Sequence, residues 1–233
     1  MCAKRTENFS PAVEDYLKSI YEITQLKKRA ETLEIASRLG LKPSSVTLML
    51  QKMADADPPL IQYEKYRGAV LTGDGEKTAL KTLRQHRLLE TYLHDVLDLG
   101  WDQVHEEADR LEHSISDVLE ERIAQKLGNP EYDPHGAPIP SKNLKMPSSS
   151  SLRLLDLVPG ETAKICRVQD RNAEVLRYLE GAGLVPGAEI FVEEIIPLDQ
   201  SFLLRISGKD QHVHVGLPIA ALIHVERTQE YPV

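Results

Sequence analysis

The chain of 233 residues has only two cysteines, Cys2 and Cys166. They are too few and too far apart for a disulfide framework or a Cys-x-x-Cys metal or redox site, so any metal must be held by oxygen and nitrogen. No run approaches the ~18 to 20 consecutive apolar residues of a membrane span, and Met1-Cys2-Ala3-Lys4-Arg5-Thr6-Glu7 has no apolar core behind its positive charges to act as an export signal. A cytoplasmic protein with no membrane partner is expected. There is no Gly-x-Ser-x-Gly nucleophile elbow, and Gly73-Asp74-Gly75-Glu76-Lys77-Thr78 lacks the Gly-Lys-[Ser/Thr] ending of a phosphate loop, which leaves it as a turn into a helix. Positive charge is also short: 28 Lys and Arg against 36 Asp and Glu give a net charge of -8, which argues against a generic nucleic-acid binder.

That average conceals a split. Residues 1–77 carry 12 basic and 11 acidic side chains, residues 78–143 carry 7 and 13, and residues 144–233 carry 9 and 12. The first third can approach phosphate, whereas the middle third repels it unless cations neutralise it.

Ser10-Pro11 reads as an N-cap with proline at the first helical position, and Val13, Leu17, Ile20, Tyr21 and Ile23 follow at helical spacing to about Gln25. A short helix from Thr32 to Leu39 stops at Gly40, and a third opens at Pro43-Ser44 with Val46, Leu50 and Met53 on one face. Helix, glycine turn and helix is the helix-turn-helix pattern. The run from Leu60 to Thr72 then predicts two short strands around a basic turn, a wing. Two amphipathic helices are expected at about Gly75 to Asp98 and Asp102 to Leu127, with a leucine stripe that suits a dimer interface. Asn129 to Ser151, with five prolines and a serine run, reads as a linker. Beyond it, β-like runs at Ala163 to Val168, Glu189 to Ile196, Phe202 to Ile206, His212 to Val215 and Leu222 to Glu226 surround one helix, Ala173 to Gly181, and predict a small β-barrel. His212 and His214 alternate on one strand face, where a polar strand edge explains them better than a metal.

The chemistry concentrates in His105-Glu106-Glu107-Ala108-Asp109-Arg110-Leu111-Glu112-His113. At about 100° per residue, His105, Asp109, Glu112 and His113 share one arc of a helix about 100° wide. His86 and Glu90 stand one turn apart on the preceding helix and can join them if the two helices run antiparallel. A solvated acidic surface is the plainer explanation for any single pair. Crowded carboxylates beside an apolar stripe, however, repel one another without a cation. Imidazole and carboxylate without thiolate suit Mn²⁺, Fe²⁺, Co²⁺ or Zn²⁺, while Mg²⁺ rarely recruits histidine.

At these residues the chain resembles the diphtheria-toxin-repressor family of metal-dependent transcriptional regulators, which includes iron and manganese sensors. The resemblance rests on Glu14 to Glu22, Pro43-Ser44-Ser45-Val46-Thr47, Tyr63 to Gly68, His86-Arg87-Leu88-Leu89-Glu90, His105 to His113 and Pro134-His135-Gly136-Ala137-Pro138-Ile139-Pro140. It implies a mainly α fold with small β parts, in three domains. These are a winged helix-turn-helix over 1–77, a helical metal-binding and dimerisation domain over 78–143 and, after a linker over 144–151, an SH3-like (FeoA-like) β-barrel over 152–233.

The family's primary metal site maps by resemblance to Asp15, Asp109, Glu112 and His113, and its ancillary site to His86, Glu90 and His105. Iron-responsive members carry Met where this chain has Asp15 and Cys where it has Asp109, and two hard carboxylates in place of two sulfurs favour Mn²⁺. Lys18 stands where the small manganese regulators place a ligating Glu, so two separated sites are expected. Asp170 or Glu174 is the candidate further ligand from the C-terminal domain.

The expected function is a metal-dependent, Mn²⁺-responsive regulator that binds double-stranded operator DNA as a homodimer and controls metal-homeostasis genes. Fe²⁺ regulation is the alternative within the family, and Co²⁺, Zn²⁺ or Cd²⁺ can substitute as ions. No enzymatic activity and no organic small-molecule substrate are expected. A metallohydrolase is the remote alternative, and it leaves the winged helix unexplained. Lys42, Ser44, Ser45, Thr47 and Gln51 on the second helix of the motif are the candidate DNA readers, with Lys65 and Arg67 of the wing on the backbone. Few of them can contact a base in bidentate fashion, so shape readout contributes.

Overall fold

Helices start and stop where local chemistry demands it. In the computed structural model, which describes residues 9–148, 150, 152–169, 172–208 and 212–228, Pro11 opens α1 (Pro11–Thr24), which buries Tyr16, Leu17, Ile20, Tyr21 and Ile23. A capping box between Glu31 and Glu34 starts α2 (Thr32–Leu39), and Gly40, left-handed at φ +65°, ends it. Pro43 opens α3 (Pro43–Ala54), with Val46, Leu50 and Met53 inward. Strands β1 (Ile61–Glu64) and β2 (Gly68–Leu71) pair antiparallel from Ile61↔Leu71 to Glu64↔Gly68, the wing expected from the sequence. Gly68 is obligatory there: at φ +90° a Cβ would lie 2.3 Å from the Ala30 carbonyl oxygen.

The chain divides into two compact units, Met1–Gln85 with Lys142–Lys145, and His86–Ser141 with Met146–Val233. The 23-residue helix α4 (Gly73–Asp95) enters the second unit at His86. There its Leu88, Leu89 and Leu93 pack with Val104, Ala108, Ile123, Ala124 and Ile139. The single helix expected from Asp102 to Leu127 is in fact two, α5 (Val104–Leu111) and α6 (Asp117–Lys126). The break has a cause, because Ser116 caps the second helix, its Oγ accepting from the Leu119 N–H at 3.3 Å.

The proline-rich stretch read as a linker is not a solvated tether throughout. Asp133, His135, Ala137 and Ile139 are buried, and the Arg87 guanidinium donates to the Pro138 carbonyl. The Val168 N–H donates to the His135 carbonyl at 2.9 Å, which ties the stretch to the C-terminal sheet. Gly136 sits at φ +80°, where a Cβ would lie 2.0 Å from the Cys166 carbonyl oxygen.

In the C-terminal part, β3 (Thr162–Val168), β4 (Glu189–Ile195), β5 (Phe202–Ile206), β6 (His212–Val215) and β7 (Ile223–Thr228) form one antiparallel sheet in the order β6-β5-β4-β3-β7. Register shifts at Ile165/Arg167 and Val192/Glu194 bend it, and no β6–β7 pairing closes it into a barrel among the described residues. Its core, with Ile165, Leu179, Ile190, Leu204 and Val225, also takes Trp101 from the segment before α5. α7 (Ala173–Ala182) follows β3 and the short α8 (Leu217–Ala220) follows β6. No helix of the described residues is long and apolar enough to cross a membrane.

Candidate metal centre

Three elements of the second unit supply six of the predicted ligands. His86 and Glu90 lie one turn apart on α4, His105 and Asp109 one turn apart on α5, and Glu112 caps α5 with His113 in the turn beyond. Glu112 keeps α-helical dihedrals (φ -56°, ψ -34°), its N–H donating to the Ala108 carbonyl at 2.9 Å, so the α5 face that carries His105 and Asp109 runs on through it to His113.

His86 is the hub. Its Nε2 lies 2.9 Å from Glu90 Oε1 and 2.9 Å from His105 Nδ1, and its Nδ1 lies 2.5 Å from Glu112 Oε2 and 3.2 Å from Asp109 Oδ1. His105 closes the group, with Nδ1 2.9 Å from Glu90 Oε1 and Nε2 3.5 Å from Asp109 Oδ2. His113 Nε2 approaches Glu112 Oε1 at 3.4 Å. The expected ancillary trio and the Asp109, Glu112 and His113 part of the primary set are thus linked through one imidazole. Each ring nitrogen of His86 faces a carboxylate oxygen; a neutral imidazole can donate to only one of them, whereas an imidazolium or a bound metal ion satisfies both sides.

Burial sharpens the electrostatics. The Glu112 side chain is 1% exposed, those of His86 and Glu90 4%, and Asp109 forms the open rim at 47%. Burial works to raise Glu90, but His86 and His105 beside it hold its carboxyl well below the ordinary range. The donor set is imidazole nitrogen and carboxylate oxygen with no sulfur, so a hard or borderline divalent cation fits.

A third metal-competent group joins the expected ligand Glu90 to two residues that were not among those expected from sequence. Glu90, Asp133 and His135 are all buried, with ligand atoms within 4.8 Å of one another. Asp133 Oδ1 accepts from the His135 and Ala137 N–H groups at 2.8 and 2.9 Å, which folds the turn. His135 Nε2 lies 3.0 Å from the Trp101 carbonyl, which can only accept, so the neutral ring carries its proton on Nε2 and offers Nδ1 to a ligand. Burial, then the Glu90 charge, push the Asp133 carboxyl up to about 6, despite Arg87 nearby. The signal in the sequence is an Asp-x-His pair inside a proline-bounded turn, of which only His135 falls in the Pro134 to Pro140 motif, with no ligand role, and Asp133 just before it.

The other expected positions fall as follows. Asp15 lies partly buried on α1 of the first unit. Glu174 is exposed in the first turn of α7, and Asp170 lies outside the described residues. Lys42, Ser44, Ser45 and Gln51 are exposed on or next to α3, while Thr47 is half-buried and its hydroxyl donates back to the Pro43 carbonyl at 3.0 Å. On the wing, the Lys65 ammonium lies 5.1 Å from the Tyr66 ring centroid, and Arg67 Nη1 donates to Glu64 Oε2 at 3.0 Å.

These features coincide with three family models: the iron-dependent repressor N-terminal DNA-binding domain over residues 8–69, the iron-dependent repressor metal-binding and dimerisation domain over 72–141, and the FeoA domain over 152–227. The chain belongs to the iron-dependent repressor family. Among relatives, it is 31% identical over 193 residues to the iron-dependent repressor IdeR of Mycobacterium leprae (strain TN), covering 77% of this chain and 83% of that protein. It is 39% identical over 107 residues to the HTH-type transcriptional regulator MntR of Bacillus subtilis (strain 168), covering 46% and 73%. Among solved structures, a manganese-dependent transcriptional repressor in complex with manganese aligns with a TM-score of 0.84 and 32% identity over 93% of this chain and all of that one. As an iron-dependent repressor family member the chain is a metal-dependent transcriptional repressor, not an enzyme. The metallohydrolase alternative has no support.

Proposed function

We propose that this repressor responds to Mn²⁺ and, when metal-loaded, binds operator DNA as a homodimer to control metal-homeostasis genes in the cytoplasm. The observation that carries this reading is the donor set: six nitrogen and oxygen side chains, His86 and five others linked to it directly or through Glu112, with no sulfur among them. Divalent-metal affinity rises from Mn²⁺ towards Cu²⁺ whatever the ligand, so selection for Mn²⁺ rests on hard donors and coordination number.

In this reading His86, Glu90 and His105 hold one ion, and Asp109, Glu112 and His113 with Asp15 hold another. Glu90, Asp133 and His135 are a further place for an ion sharing the Glu90 carboxylate. The ion supplies positive charge among crowded carboxylates and a coordination sphere that joins side chains from different helices. Asp15 belongs to the helix that buttresses α2 and α3, so tying it to ligands of the second unit fixes the reading helix at the spacing a two-fold operator needs. Two divalent ions per subunit would also halve the formal charge of -8, easing approach to phosphate. Val118 and Leu119 at the start of α6, 73% and 48% exposed, supply apolar surface for a second copy.

Similarity to IdeR keeps an Fe²⁺ response as the second reading. Anaerobic titration with Mn²⁺ and Fe²⁺, following operator retention, separates the two. Half-maximal DNA binding at lower free Mn²⁺ than Fe²⁺ is expected, and the reverse order assigns the protein to iron.

A further inference from the structure

Helix α3 carries an apolar side chain where the second helix of a DNA-reading motif faces outward. Val46, Leu50 and Met53 take the inward side, yet Leu48 is 68% exposed. Ser44 and Ser45 stand one turn before it and Gln51 and Lys52 one turn after, and all four are exposed. Spacings of three and four residues make these its neighbours on the helix surface. Leu48 is thus the apolar centre of a polar ring. Lys42 at the N-cap and Lys52 in the last turn give that face positive charge, complementary to phosphate.

We infer that Leu48 reads the 5-methyl group of thymine in the major groove. This rests on the proposal that α3 enters operator DNA. The edges of the base pairs offer one apolar group in that groove, the thymine methyl. A leucine has no atom that can replace water on the cytosine amino group or the guanine O6, so those bases opposite it lose a hydrogen-bond partner. Ser44, Ser45 and Gln51 can satisfy the flanking base edges. The Thr47 hydroxyl, already donating to the Pro43 carbonyl, competes less for that role.

The test uses the full chain saturated with Mn²⁺. Selection from random duplexes yields its binding site, and each thymine is then replaced singly by deoxyuridine, which removes only the methyl. The parent is expected to lose roughly fourfold in affinity at one thymine of each half-site, the worth of one buried methyl-sized group. Leu48→Ala, checked for parent-like thermal unfolding, is expected to bind thymine and deoxyuridine duplexes equally. Leu48→Gln is expected to move the selected base from thymine towards adenine, whose N6 and N7 suit an amide. Leu48→Ala retaining the parent's deoxyuridine loss would overturn the inference, as would a parent indifferent to every thymine methyl. A changed oligomeric mass in Leu48→Ala with unaltered methyl sensitivity would assign the leucine to a protein contact instead and overturn it too. If the Mn²⁺-loaded parent retains no duplex at all, the proposed function itself fails, and the inference with it.

Discussion

Replacing Glu112 by glutamine keeps the side-chain volume at a nearly fully buried position and removes one negative charge beside His86 and His113. In chelator-treated protein the change exchanges a charge-assisted hydrogen bond, worth about 1.5–3 kcal/mol, for a neutral one worth about 0.5–1.5. The net loss is about 1 kcal/mol, or about 2–4 °C in Tm for a chain of this size. With metal the loss is larger, because a buried cation loses an anionic partner, and breaking such a pair costs about 3–5 kcal/mol. At 1.4 kcal/mol per decade this weakens Mn²⁺ binding by roughly 10²-fold to several thousandfold. Free Mn²⁺ is followed by electron paramagnetic resonance and operator retention by gel shift, both against total Mn²⁺. The retention midpoint should move with the binding midpoint and full retention should return at high Mn²⁺, since the other ligands remain. Parent-like Mn²⁺ affinity in Glu112→Gln would refute the assignment of this carboxylate to the metal centre.

Two further outcomes follow from the proline-rich turn. The Asp133 carboxyl is raised from 3.8 to about 6, so the folded chain holds this proton more tightly than the unfolded one. Its contribution is present below about pH 4 and is lost as pH rises to about 6, by at most about 3 kcal/mol. Asp133→Asn mimics the protonated form and should gain stability relative to the parent across that window in denaturant titrations of chelated protein; a flat difference would contradict the burial argument. Gly136→Ala forces a Cβ to within 2.0 Å of the Cys166 carbonyl at φ +80°. It should cost at least about 2 kcal/mol by urea unfolding, and a loss under about 0.5 would show that the turn can shift freely.

What could be read in advance follows the range of the forces involved. Caps and turns are local, so Ser10-Pro11, Gly40 and Pro43 mark ends of α1, α2 and α3 in the sequence itself, and alternation places the strands of the C-terminal sheet to within a residue or two. The break before α6 was missed because periodicity carries across it; Ser116 was a visible cap, but it competes with an unbroken stripe of Leu111, Ile115, Val118 and Leu119. Asp133 and His135 could not be joined to Glu90 by any helical or strand period. Burial of the turn by Arg87, Trp101 and β3 makes that group. Residue types at helical spacing revealed His86, Glu90, His105 and Asp109 as a set, but not that one imidazole would touch both carboxylates of the neighbouring segment. Leu48 escaped notice because an apolar residue on an amphipathic helix reads as core until its exposure is seen.

Six of the seven expected ligands belong to one compact unit, and Asp15 alone belongs to the other. Contacts that the second unit makes equally well whether the DNA-binding unit is fixed or free cannot shift that equilibrium, however tightly they hold the ion. In the proposed mechanism the conformational part of that differential comes from Asp15, beyond what the charge of the ions alone contributes. Moving a two-state equilibrium from 1:99 to 99:1 needs about 5.5 kcal/mol, and one carboxylate on a partly buried cation supplies about 3–5. Asp15→Asn should therefore separate two properties that Glu112→Gln keeps together. The variant retains metal at the second unit's own ligands, yet its operator affinity at saturating Mn²⁺ rises above that of chelated protein only by the salt-sensitive gain from the ions' charge and stays well short of the parent's. Electron paramagnetic resonance counts the bound ions and gel shift reads the DNA. Recovery of parent operator affinity by Asp15→Asn at high Mn²⁺ would mean that the response is carried within the second unit, and the role given to Asp15 would be wrong.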